Sequence, residues 1–434
     1  MDPDTFERAK TAFLEGVAHV EAGRLPEAER AFDASLAWCP GRPSTLTNLA
    51  GVRLGLGRPA QALEALDQSL AIDAEQADAW CQHGIALLHL QRPGDALASF
   101  EQALQVDPHL LAAWYHLGCT CNLLHRHRQA LTAFDRLLAA DAQRGEVWFR
   151  HGQTLQALER HADALASYER ALALDPTLAQ AWINRAGIFK DSGRLAEAAT
   201  DYRKALEHGG DRELIGFYLA ALEGREAPAA APRDYVQGLF DDYAERFDHH
   251  LVQVLGYRGH EVLVQQLEQA APGRRFRHAL DLGCGTGLCG IQLCRLAECI
   301  DGVDLSAHML AQAARLQVYA RLERGDVAEY LAATDRRYDL IAAADVFTYI
   351  GDLDAVFAAA ARVLQAGGLF CFSVEVADDA VDFVLRGSLR YAHSRRYVEA
   401  LAQRHGYAIV HLVRKPMRED QRQPIDALYG VLSR

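Results

Sequence analysis

The chain has 434 residues, and at roughly 100 to 200 residues per domain this length predicts two to four domains. Hydrophobic residues make up 50% of the chain and charged residues 24%, which excludes the disordered and fibrous classes because enough apolar surface is present to form a buried core. The net charge of -13 argues against electrostatic attraction to nucleic acid or anionic membranes, so neither is an expected partner.

Targeting signals and cysteines narrow the class further. The sequence contains no run of 18 apolar residues, and residues 1–10 are acidic and polar instead of basic and then apolar. A cytoplasmic protein is therefore expected. The nine cysteines form no C-x-x-C pair, so the sequence predicts neither a disulfide framework nor a metal site.

The first half of the chain repeats itself every 34 residues from about residue 9 to 212. Its clearest markers are Trp80, Trp114, Trp148 and Trp182. In each repeat a small residue lies four positions after the tryptophan position, and a large residue lies further along the same repeat. The small residues are Gly16, Ala50, Gly84, Gly118, Gly152 and Ala186, and the large ones are Phe32, Leu66, Phe100, Phe134, Tyr168 and Tyr202. Small and large positions at fixed spacing predict pairs of closely packed helices.

This pattern is similar to the tetratricopeptide repeat family over six consecutive units. The resemblance implies an all-α solenoid with a concave groove, because each helix pair can bury its apolar face only against its neighbours. Residues 213–222 are interpreted as a capping helix. The first domain is accordingly predicted over residues 1–223.

Helical phase predicts which side chains line the groove. At about 100° per residue, position 6 of each first helix lies opposite the packed face, and this position is polar in five of six units. With neighbouring positions, the predicted groove residues are Asn48, Gln82, Tyr115, His116, Phe149, Arg150, Gln153 and Asn184. Amides beside aromatics resemble the ladder by which some tetratricopeptide grooves hold an extended polypeptide, so a protein or peptide substrate is the expected partner. A solvated helix face that serves oligomer contacts is the alternative.

A second architecture follows a predicted linker. Residues 224–233 contain two prolines among small residues, which favours an extended, semi-rigid spacer. From residue 234 to 434, apolar strand-like runs at 278–282, 299–303, 338–344 and 368–374 alternate with helical stretches. Such alternation predicts a doubly wound, mostly parallel α/β sheet, with closing strands near 407–413 and 425–432.

Chemistry-bearing residues cluster where these predicted strands end. The first strand runs into a glycine-rich turn that contains Asp281, Gly283, Cys284, Gly285, Thr286 and Gly287. Its G-x-G-x-G spacing differs from the dinucleotide fingerprint G-x-G-x-x-G, since residue 288 is leucine. Asp304, Asp326 and Asp345 close the next three strands. Because parallel strands end at one edge, these carboxylates should face one crevice.

This set resembles the class I S-adenosylmethionine-dependent methyltransferases, which implies a Rossmann-like seven-stranded sheet and S-adenosylmethionine as cofactor, with S-adenosylhomocysteine as product. The resemblance implies that the glycine turn adjoins the methionine part of the cofactor, that Asp304 binds the ribose, and that Asp326 with Val327 meets the adenine. It also implies that Met309 packs on the adenine ring. Leu305 and Asp345 are further predicted cofactor residues. Upstream residues Tyr243, Phe247, Tyr257 and Arg258 resemble lid residues that contact the cofactor.

Residues near the acceptor are predicted from the later strand ends. His393 is the candidate general base, because histidine titrates near neutral pH; Glu375 would orient it or an acceptor amine, and Tyr349 follows the fourth strand. A structural salt bridge for Glu375 and a surface position for His393 are the alternatives. Basic residues between Arg386 and Arg418 are interpreted either as a rim for an acidic peptide or carboxylated small molecule, or as a solvated face. The leading hypothesis is a methyltransferase that recruits a polypeptide, and the alternative is one that acts on a small metabolite.

Overall fold

The computed structural model describes residues 3–224, 226–244, 256–420 and 423–434. The chain divides into two compact units, Met1–Gly210 and Asp211–Arg434. No helix among these described residues combines the length and apolar character needed to cross a bilayer.

The first unit consists of twelve described helices that form six consecutive pairs, as the period of 34 predicts. The helices are α1 (Pro3–Glu21), α2 (Leu25–Trp38), α3 (Pro43–Gly55), α4 (Pro59–Ile72), α5 (Ala77–His89), α6 (Pro93–Val106), α7 (Leu111–Leu123), α8 (His127–Ala140), α9 (Gly145–Ala157), α10 (His161–Leu174), α11 (Ala179–Asp191) and α12 (Leu195–Glu207). Each helix packs against the next along the chain. The predicted all-α repeat fold is confirmed.

Close approach of the two helices of a pair depends on glycine in four of the six units. An aromatic ring covers each of these glycines so tightly that a Cβ atom would come within 2.5 to 2.8 Å of a ring carbon. The pairs are Gly16 with Phe32, Gly84 with Phe100, Gly118 with Phe134, and Gly152 with Tyr168. These four rings are fully buried. The alternation of small and large phases in the sequence is therefore a packing requirement.

The recurring tryptophans fasten the loop between repeats. In four units the indole Nε1 donates a hydrogen bond of 2.9 Å to the carbonyl oxygen six residues earlier, in the turn that precedes the helix. The donors are Trp80, Trp114, Trp148 and Trp182. A half-buried indole needs a partner for its N–H group, and this bond explains why tryptophan recurs at one phase.

The helix predicted to cap the solenoid belongs instead to the second unit. Helix α13 (Arg212–Glu223) begins after Asp211, whose side chain accepts hydrogen bonds from two backbone N–H groups of the first turn. Phe217 on this helix is buried against Tyr235 and Tyr391. These aromatic contacts lie within residues 211–434, so the division falls earlier than the predicted boundary at 223.

The predicted spacer is also built into the second unit. Tyr391 Oη donates a hydrogen bond of 2.7 Å to Pro228 O, and Ala231 N donates one of 2.9 Å to Tyr349 O. Ala230 forms a bridge with Ile350. The prolines keep this stretch extended, but its backbone groups are paired; it is not a free linker over its described residues.

The second unit alternates helices and strands after α13. Its further elements are α14 (Arg233–Tyr243), α15 (Gly259–Ala270), β1 (Ala279–Leu282), α16 (Leu288–Leu293), β2 (Ile300–Asp304), α17 (Ala307–Arg315), β3 (Arg321–Arg324), α18 (Val327–Ala333), β4 (Tyr338–Ala343), α19 (Asp354–Val363), β5 (Leu364–Val376), β6 (Phe383–Leu385), β7 (Tyr391–His393), α20 (Arg395–Arg404), β8 (Ala408–Asp420) and β9 (Gln423–Ser433). A 3₁₀ turn spans Phe347–Tyr349.

These strands form the predicted mostly parallel sheet. Strands β3, β2, β1, β4 and β5 pair in parallel in that order, and β9 continues the sheet antiparallel to β5, with β8 at the edge. A short hairpin of β6 and β7, which the sequence did not predict, joins the end of β5 at Glu375 and Val376. The sheet therefore has nine described strands where seven were predicted.

Candidate active site

A cleft opens at the carboxyl ends of the central strands. Strand β1 lies between β2 and β4, and the chain crosses from β3 at one edge back to β4 beside β1. Such a switch in strand order leaves a crevice between the loops that follow the strands. The glycine turn after β1 lines the cleft, as do the loops after β2, β3 and β4. Helices α14 and α15 and Arg390 from the β6–β7 loop complete the lining.

The glycine turn brings bare backbone to the cleft. Gly283, Gly285 and Gly287 all have positive φ, at +61°, +54° and +99°, which disfavours other residues. A Cβ on Gly283 would strike Val346 at 2.5 Å and one on Gly287 would strike Leu316 at 2.5 Å, whereas beside Gly285 the space is open. Side chains therefore pack tightly against both ends of the turn, whereas the space at its centre is open. This arrangement fits a ligand held against the main chain.

Asp304 at the end of β2 is fixed by the same turn. Its Oδ2 accepts a hydrogen bond of 2.8 Å from Gly285 N, and its Oδ1 accepts one of 2.9 Å from Ser306 N. The side chain lines the cleft and is 8% exposed. Burial raises the pKa of this carboxyl above its ordinary value, although the backbone hydrogen bonds oppose the shift. Each oxygen keeps a lone pair for further donors, so the geometry suits the predicted ribose contact.

The predicted adenine end lies in the same cleft. Leu305, Met309 and Val327 contribute apolar walls there, and Asp326 lines the cleft beside them. Asp326 Oδ1 also accepts hydrogen bonds from Ala328 N at 2.8 Å and from Glu329 N at 3.1 Å. Asp326 is therefore the N-cap of α18 as well as a cleft residue, and the two roles use the same well-ordered carboxylate.

Asp281 does not line the cleft, which corrects its prediction as a cofactor residue. Its carboxylate is 1% exposed and accepts a hydrogen bond of 2.7 Å from Tyr319 Oη. Burial raises the pKa of Asp281 to about 7, and the nearby charge of Asp304 adds to the shift. Strand β1 is paired on both sides, and the Asp281 side chain faces a packed layer next to the sheet. Tyr319, which the sequence analysis missed, lies in that layer.

We expect Asp281 to make stability depend on pH. Its folded pKa lies above its unfolded value, so its contribution is fully present below about pH 4 and is lost as pH rises through about 7. Asp281→Asn imitates the protonated form, so the stability of the variant relative to wild type should grow by up to roughly 4 kcal/mol from pH 4 to pH 8. The exposed Asp335→Asn is the control, and a pH-independent difference for Asp281→Asn would contradict the shift.

Thermal unfolding of the full chain followed by calorimetry measures this effect. All five tryptophans lie at or before Trp182, so tryptophan fluorescence follows the first unit. The calorimetric transition that fluorescence does not follow belongs to the second unit.

Of the predicted upstream residues, only Tyr257 lines the cleft among those whose side chains are described. It is 4% exposed and stacks on His260, with ring centroids 5.5 Å apart. Arg258 is exposed and does not line the cleft; its Nε donates a hydrogen bond of 2.8 Å to Glu261 Oε2, and its role as a cofactor residue stays a prediction. Phe247 and the Tyr243 side chain lie outside the described residues.

Helix α14 supplies cleft residues that sequence reasoning missed. Val236 and Phe240 line the cleft one turn apart, and this i, i+4 spacing was the available signal. Asp241 Oδ1 accepts a hydrogen bond of 2.5 Å from Ser306 Oγ, which ties the helix to the loop after β2. Burial opposes ionisation of Asp241, but hydrogen bonds from Ser306 and Gln237 outweigh it, so its pKa lies below the ordinary value.

A group of five residues, named here the arginine network, lies at and behind the end of the cleft where the acceptor is predicted: Asp345, Glu375, Arg386, Arg390 and Arg418. Glu375 Oε1 accepts hydrogen bonds from Arg390 Nε at 2.8 Å and Arg418 Nη2 at 2.6 Å, and Oε2 accepts one from Arg386 Nη1 at 3.1 Å. Asp345 Oδ1 accepts one of 2.6 Å from Arg390 Nη2. Asp345 and Arg390 line the cleft; Glu375 is 1% exposed and lies behind them.

Tyr349, a predicted catalytic residue, lines the cleft beside Arg390. Its Oη accepts a hydrogen bond of 3.3 Å from Arg390 Nη1, and its ring meets Phe240 edge-on with centroids 5.4 Å apart. Burial raises the pKa of Tyr349 above its ordinary value, while the Arg390 charge opposes the shift. The phenol is therefore protonated at neutral pH.

His393 does not reach the cleft, and its prediction as general base is wrong. Its ring is fully buried, and its Nε2 lies 2.9 Å from Gly351 O. Burial lowers the pKa of His393 to about 4. Strand pairing aligns His393 with Val376, so Glu375 projects from the opposite face of the sheet. The predicted Glu375–His393 partnership is thereby excluded.

The predicted groove residues of the first unit differ in how free they are. Asn48 is exposed and donates only to Ser44 O of its own helix. Arg150 is hydrogen-bonded to Glu146 and Gln153 but keeps 40% of its side chain exposed. Phe149 is 5% exposed and packs on Tyr168, so it is a core residue. Two more groove residues use part of their side chain in contacts within the repeat unit. His116 stacks on Phe100, and Asn184 donates a hydrogen bond to Tyr168 Oη.

The remaining two groove residues complete this face. Tyr115 Oη donates a hydrogen bond of 3.3 Å to Glu146 Oε1, and burial raises its pKa. Gln82 lies over Gly51, where its Oε1 would be 3.3 Å from an added Cβ. Polar atoms thus remain on this face in several units, although less freely than the sequence predicts.

A trio of potential metal ligands lies at the opposite edge of the sheet. The His278, Cys299 and Asp301 ligand atoms lie within 4.8 Å of one another. Asp301 Oδ2 already accepts hydrogen bonds from His278, from Arg336 at 2.8 Å and from Tyr338. The positively charged Arg336 guanidinium already pairs with the Asp301 carboxylate. We therefore interpret the trio as an ion-pair cluster.

Comparison with known families agrees with this fold and cleft. Residues 279–368 match a family described as a methyltransferase domain. Tetratricopeptide repeat families match residues 19–81, 87–150, 124–177 and 149–213. The chain thus combines tetratricopeptide repeats with a class I S-adenosylmethionine-dependent methyltransferase domain, a class whose cofactor is S-adenosylmethionine.

Curated methyltransferases match part of the chain. The chain is 36% identical over 132 residues to the biotin biosynthesis bifunctional protein BioCD of Bordetella avium, which is 30% of this chain and 28% of the relative. It is 38% identical over 110 residues to the malonyl-[acyl-carrier protein] O-methyltransferase of Geobacter sulfurreducens, covering 24% and 40%. It is 39% identical over 93 residues to the trans-aconitate 2-methyltransferase of Pseudomonas aeruginosa, covering 21% and 31%. The chain spans less than half the length of these relatives.

Solved structures are similar to the repeat region. PilF of Pseudomonas aeruginosa is 19% identical with a TM-score of 0.43, and the match covers 48% of this chain and 95% of that one. YrrB, described as a tetratricopeptide protein with an unusual peptide-binding site, is 22% identical with a TM-score of 0.39, covering 43% and 95%.

Proposed function

We propose that this chain is an S-adenosylmethionine-dependent methyltransferase that recruits a polypeptide through its repeat unit. The observation that supports methyl transfer is the convergence of the glycine turn, Asp304 and Met309 at one end of the cleft with Tyr349 and Arg390 at the other. One end fits an adenosyl group, and the other presents polar donors to a second reactant. The two reactants would meet beside Asp345.

The residues of the chain act mainly by positioning. Asp304 holds the ribose, Met309 and Val327 flank the adenine, and the open backbone beside Gly285 admits the amino-acid portion. S-adenosylmethionine supplies an electrophilic methyl group when bound. Fixing donor and acceptor in one geometry is worth about 7 to 11 kcal/mol in well-oriented reactions, so no acid or base of the chain is required unless the acceptor arrives protonated.

The repeat unit contributes recruitment. Asn48 is exposed, and Arg150 and Gln153 form a polar patch together with Glu146. Amides and guanidinium groups at a repeated phase match the alternating N–H and C=O groups of an extended peptide. Each such hydrogen bond adds about 0.5 to 1.5 kcal/mol, so recruitment would depend on several units acting together.

Recruitment is tested with a triple alanine variant at Asn48, Arg150 and Asn184 of the full chain. With a dialysed protein fraction of a cell extract as acceptor and tritiated cofactor, we expect kcat/KM to fall at least tenfold while the affinity for S-adenosylhomocysteine stays unchanged. The matched control replaces exposed residues of the same chemistry on second helices, and these are Gln68, Gln102 and Arg136. Equal turnover in both triple variants would exclude recruitment by this face.

A small acidic metabolite is the second candidate acceptor. The observation that favours it is the arginine network behind Tyr349, together with a relative whose name specifies the small molecule trans-aconitate. In that case label appears in the dialysable fraction of the extract and the triple variant at Asn48, Arg150 and Asn184 has no effect on turnover. The repeats would then serve partner or oligomer contacts.

A further inference from the structure

We propose that the acceptor group is a carboxylate, recognised by Arg390 at the cleft wall and methylated on oxygen. This inference rests on the proposed methyltransferase function and names the substrate class of the same site. It applies to a carboxylate on a polypeptide or on a small molecule alike, because both present the same group to the cleft.

The charge count of the arginine network carries the inference. Three guanidinium groups, of Arg386, Arg390 and Arg418, face two carboxylates, of Asp345 and Glu375. The side chains of Arg418 and Arg390 are only 9% and 18% exposed. The third, Arg386, is 38% exposed and therefore partly solvated. Among the described residues the network thus carries one guanidinium more than its carboxylates balance. Because a poorly solvated charge without a counter-charge is costly, one further anion beside Arg390 would complete the network.

Arg390 presents the donors that such an anion needs. A guanidinium has five N–H groups. Those of Arg390 donate to Glu375 through Nε, to Asp345 through Nη2 and to Tyr349 through Nη1, which leaves one N–H on each terminal nitrogen. One N–H group on each of the two terminal nitrogens is the set with which a guanidinium binds both oxygens of a carboxylate. Arg390 lines the cleft together with Tyr349, so these donors lie at the acceptor end.

Arg418 supports the same conclusion from behind. Its Nη2 donates to Glu375, while its Nη1 makes no hydrogen bond and lies 3.6 Å from Asp345 Oδ2. Both N–H groups of Nη1 are thus without a hydrogen-bond acceptor among the described residues. Its positive charge raises the potential at the cleft wall without occupying the wall itself.

The chemistry balances without a proton acceptor. A carboxylate oxygen that takes the methyl group uses a lone pair to form the new O–CH₃ bond, and the electrons of the broken C–S bond return to sulfur, which becomes the thioether of S-adenosylhomocysteine. The carboxylate becomes a neutral methyl ester, and no proton is transferred. This agrees with the burial of His393 and with the full use of Glu375 by arginines.

The test is calorimetric titration of the full chain, saturated with S-adenosylhomocysteine, with malonate as the probe. We expect malonate to bind and the uncharged isostere malonamide not to bind. Arg390→Gln should weaken malonate binding at least tenfold, and Arg390→Lys should weaken it less, because lysine keeps the charge but loses the bidentate fork. The affinity for S-adenosylhomocysteine should stay within twofold in both variants.

Arg414→Gln is the matched control, since Arg414 is exposed and pairs with Asp426 away from the cleft. If malonate does not bind the wild-type chain, or if Arg390→Gln weakens S-adenosylhomocysteine instead, then Arg390 serves the amino-acid carboxylate of the cofactor or none, and the inference is overturned. If S-adenosylhomocysteine itself does not bind, the proposed function fails first. A second readout is the label: a methyl ester releases volatile methanol in alkali, whereas alkali-stable label contradicts a carboxylate acceptor.

Discussion

Replacing Asp304 with alanine should weaken S-adenosylhomocysteine binding about a hundredfold. Hydrogen bonds to a charged partner are worth about 1.5 to 3 kcal/mol each, and two ribose hydroxyls on one carboxylate therefore account for at least two decades of affinity. The same change removes the acceptor for Gly285 N, so the glycine turn loses its anchor as well.

Calorimetric titration of the full chain with S-adenosylhomocysteine measures this effect. Asp304→Asn keeps one acceptor oxygen and should lose less affinity than the alanine variant. Asp335→Ala, at an exposed position outside the cleft, is the control. An Asp304→Ala dissociation constant within threefold of wild type would remove Asp304 from the cofactor site.

Glu375→Gln should lower the free energy of unfolding of the second unit by about 3 to 5 kcal/mol, the cost of breaking a buried ion pair. The substitution changes neither volume nor shape, so no cavity contributes. It leaves three guanidinium groups facing the single carboxylate of Asp345, because Glu375 accepts from Arg386, Arg390 and Arg418 in the wild type.

The double variant Glu375→Gln with Arg418→Met provides the matched comparison. It restores the wild-type excess of one positive charge, so it should recover part of the lost stability. The measurement is again the calorimetric transition that tryptophan fluorescence does not follow. A single variant as stable as wild type would show that the arginine network contributes no net stability.

The features of the fold that recur along the chain were predictable from sequence. The period of 34 follows from local packing, since Gly84 must fit beneath Phe100 and the equivalent residues repeat this contact. The carboxylates Asp304, Asp326 and Asp345 were placed together correctly because parallel strands end at one edge, a property of topology and not of side-chain detail.

Side-chain direction was the part that sequence left open. Asp281 and His393 turn away from the cleft because of strand register and the packed layers beside them, which no local pattern encodes. Arg390 reaches the cleft from a short hairpin, β6 and β7, whose three-residue strands are too brief for periodicity to reveal. Some basic residues that the sequence analysis interpreted as a possible solvated face are buried. Arg418, for example, is buried by contacts with residues distant along the chain.

The excess positive charge of the arginine network affects how the methylated product leaves the cleft. While the acceptor is an anion, it completes the network of Arg390, Arg418 and their two carboxylates. Once esterified, it is neutral and can no longer balance the extra guanidinium. The attraction that captures the acceptor is therefore cancelled by the reaction itself, and the ester should be a poor inhibitor that leaves the cleft without help from a moving lid.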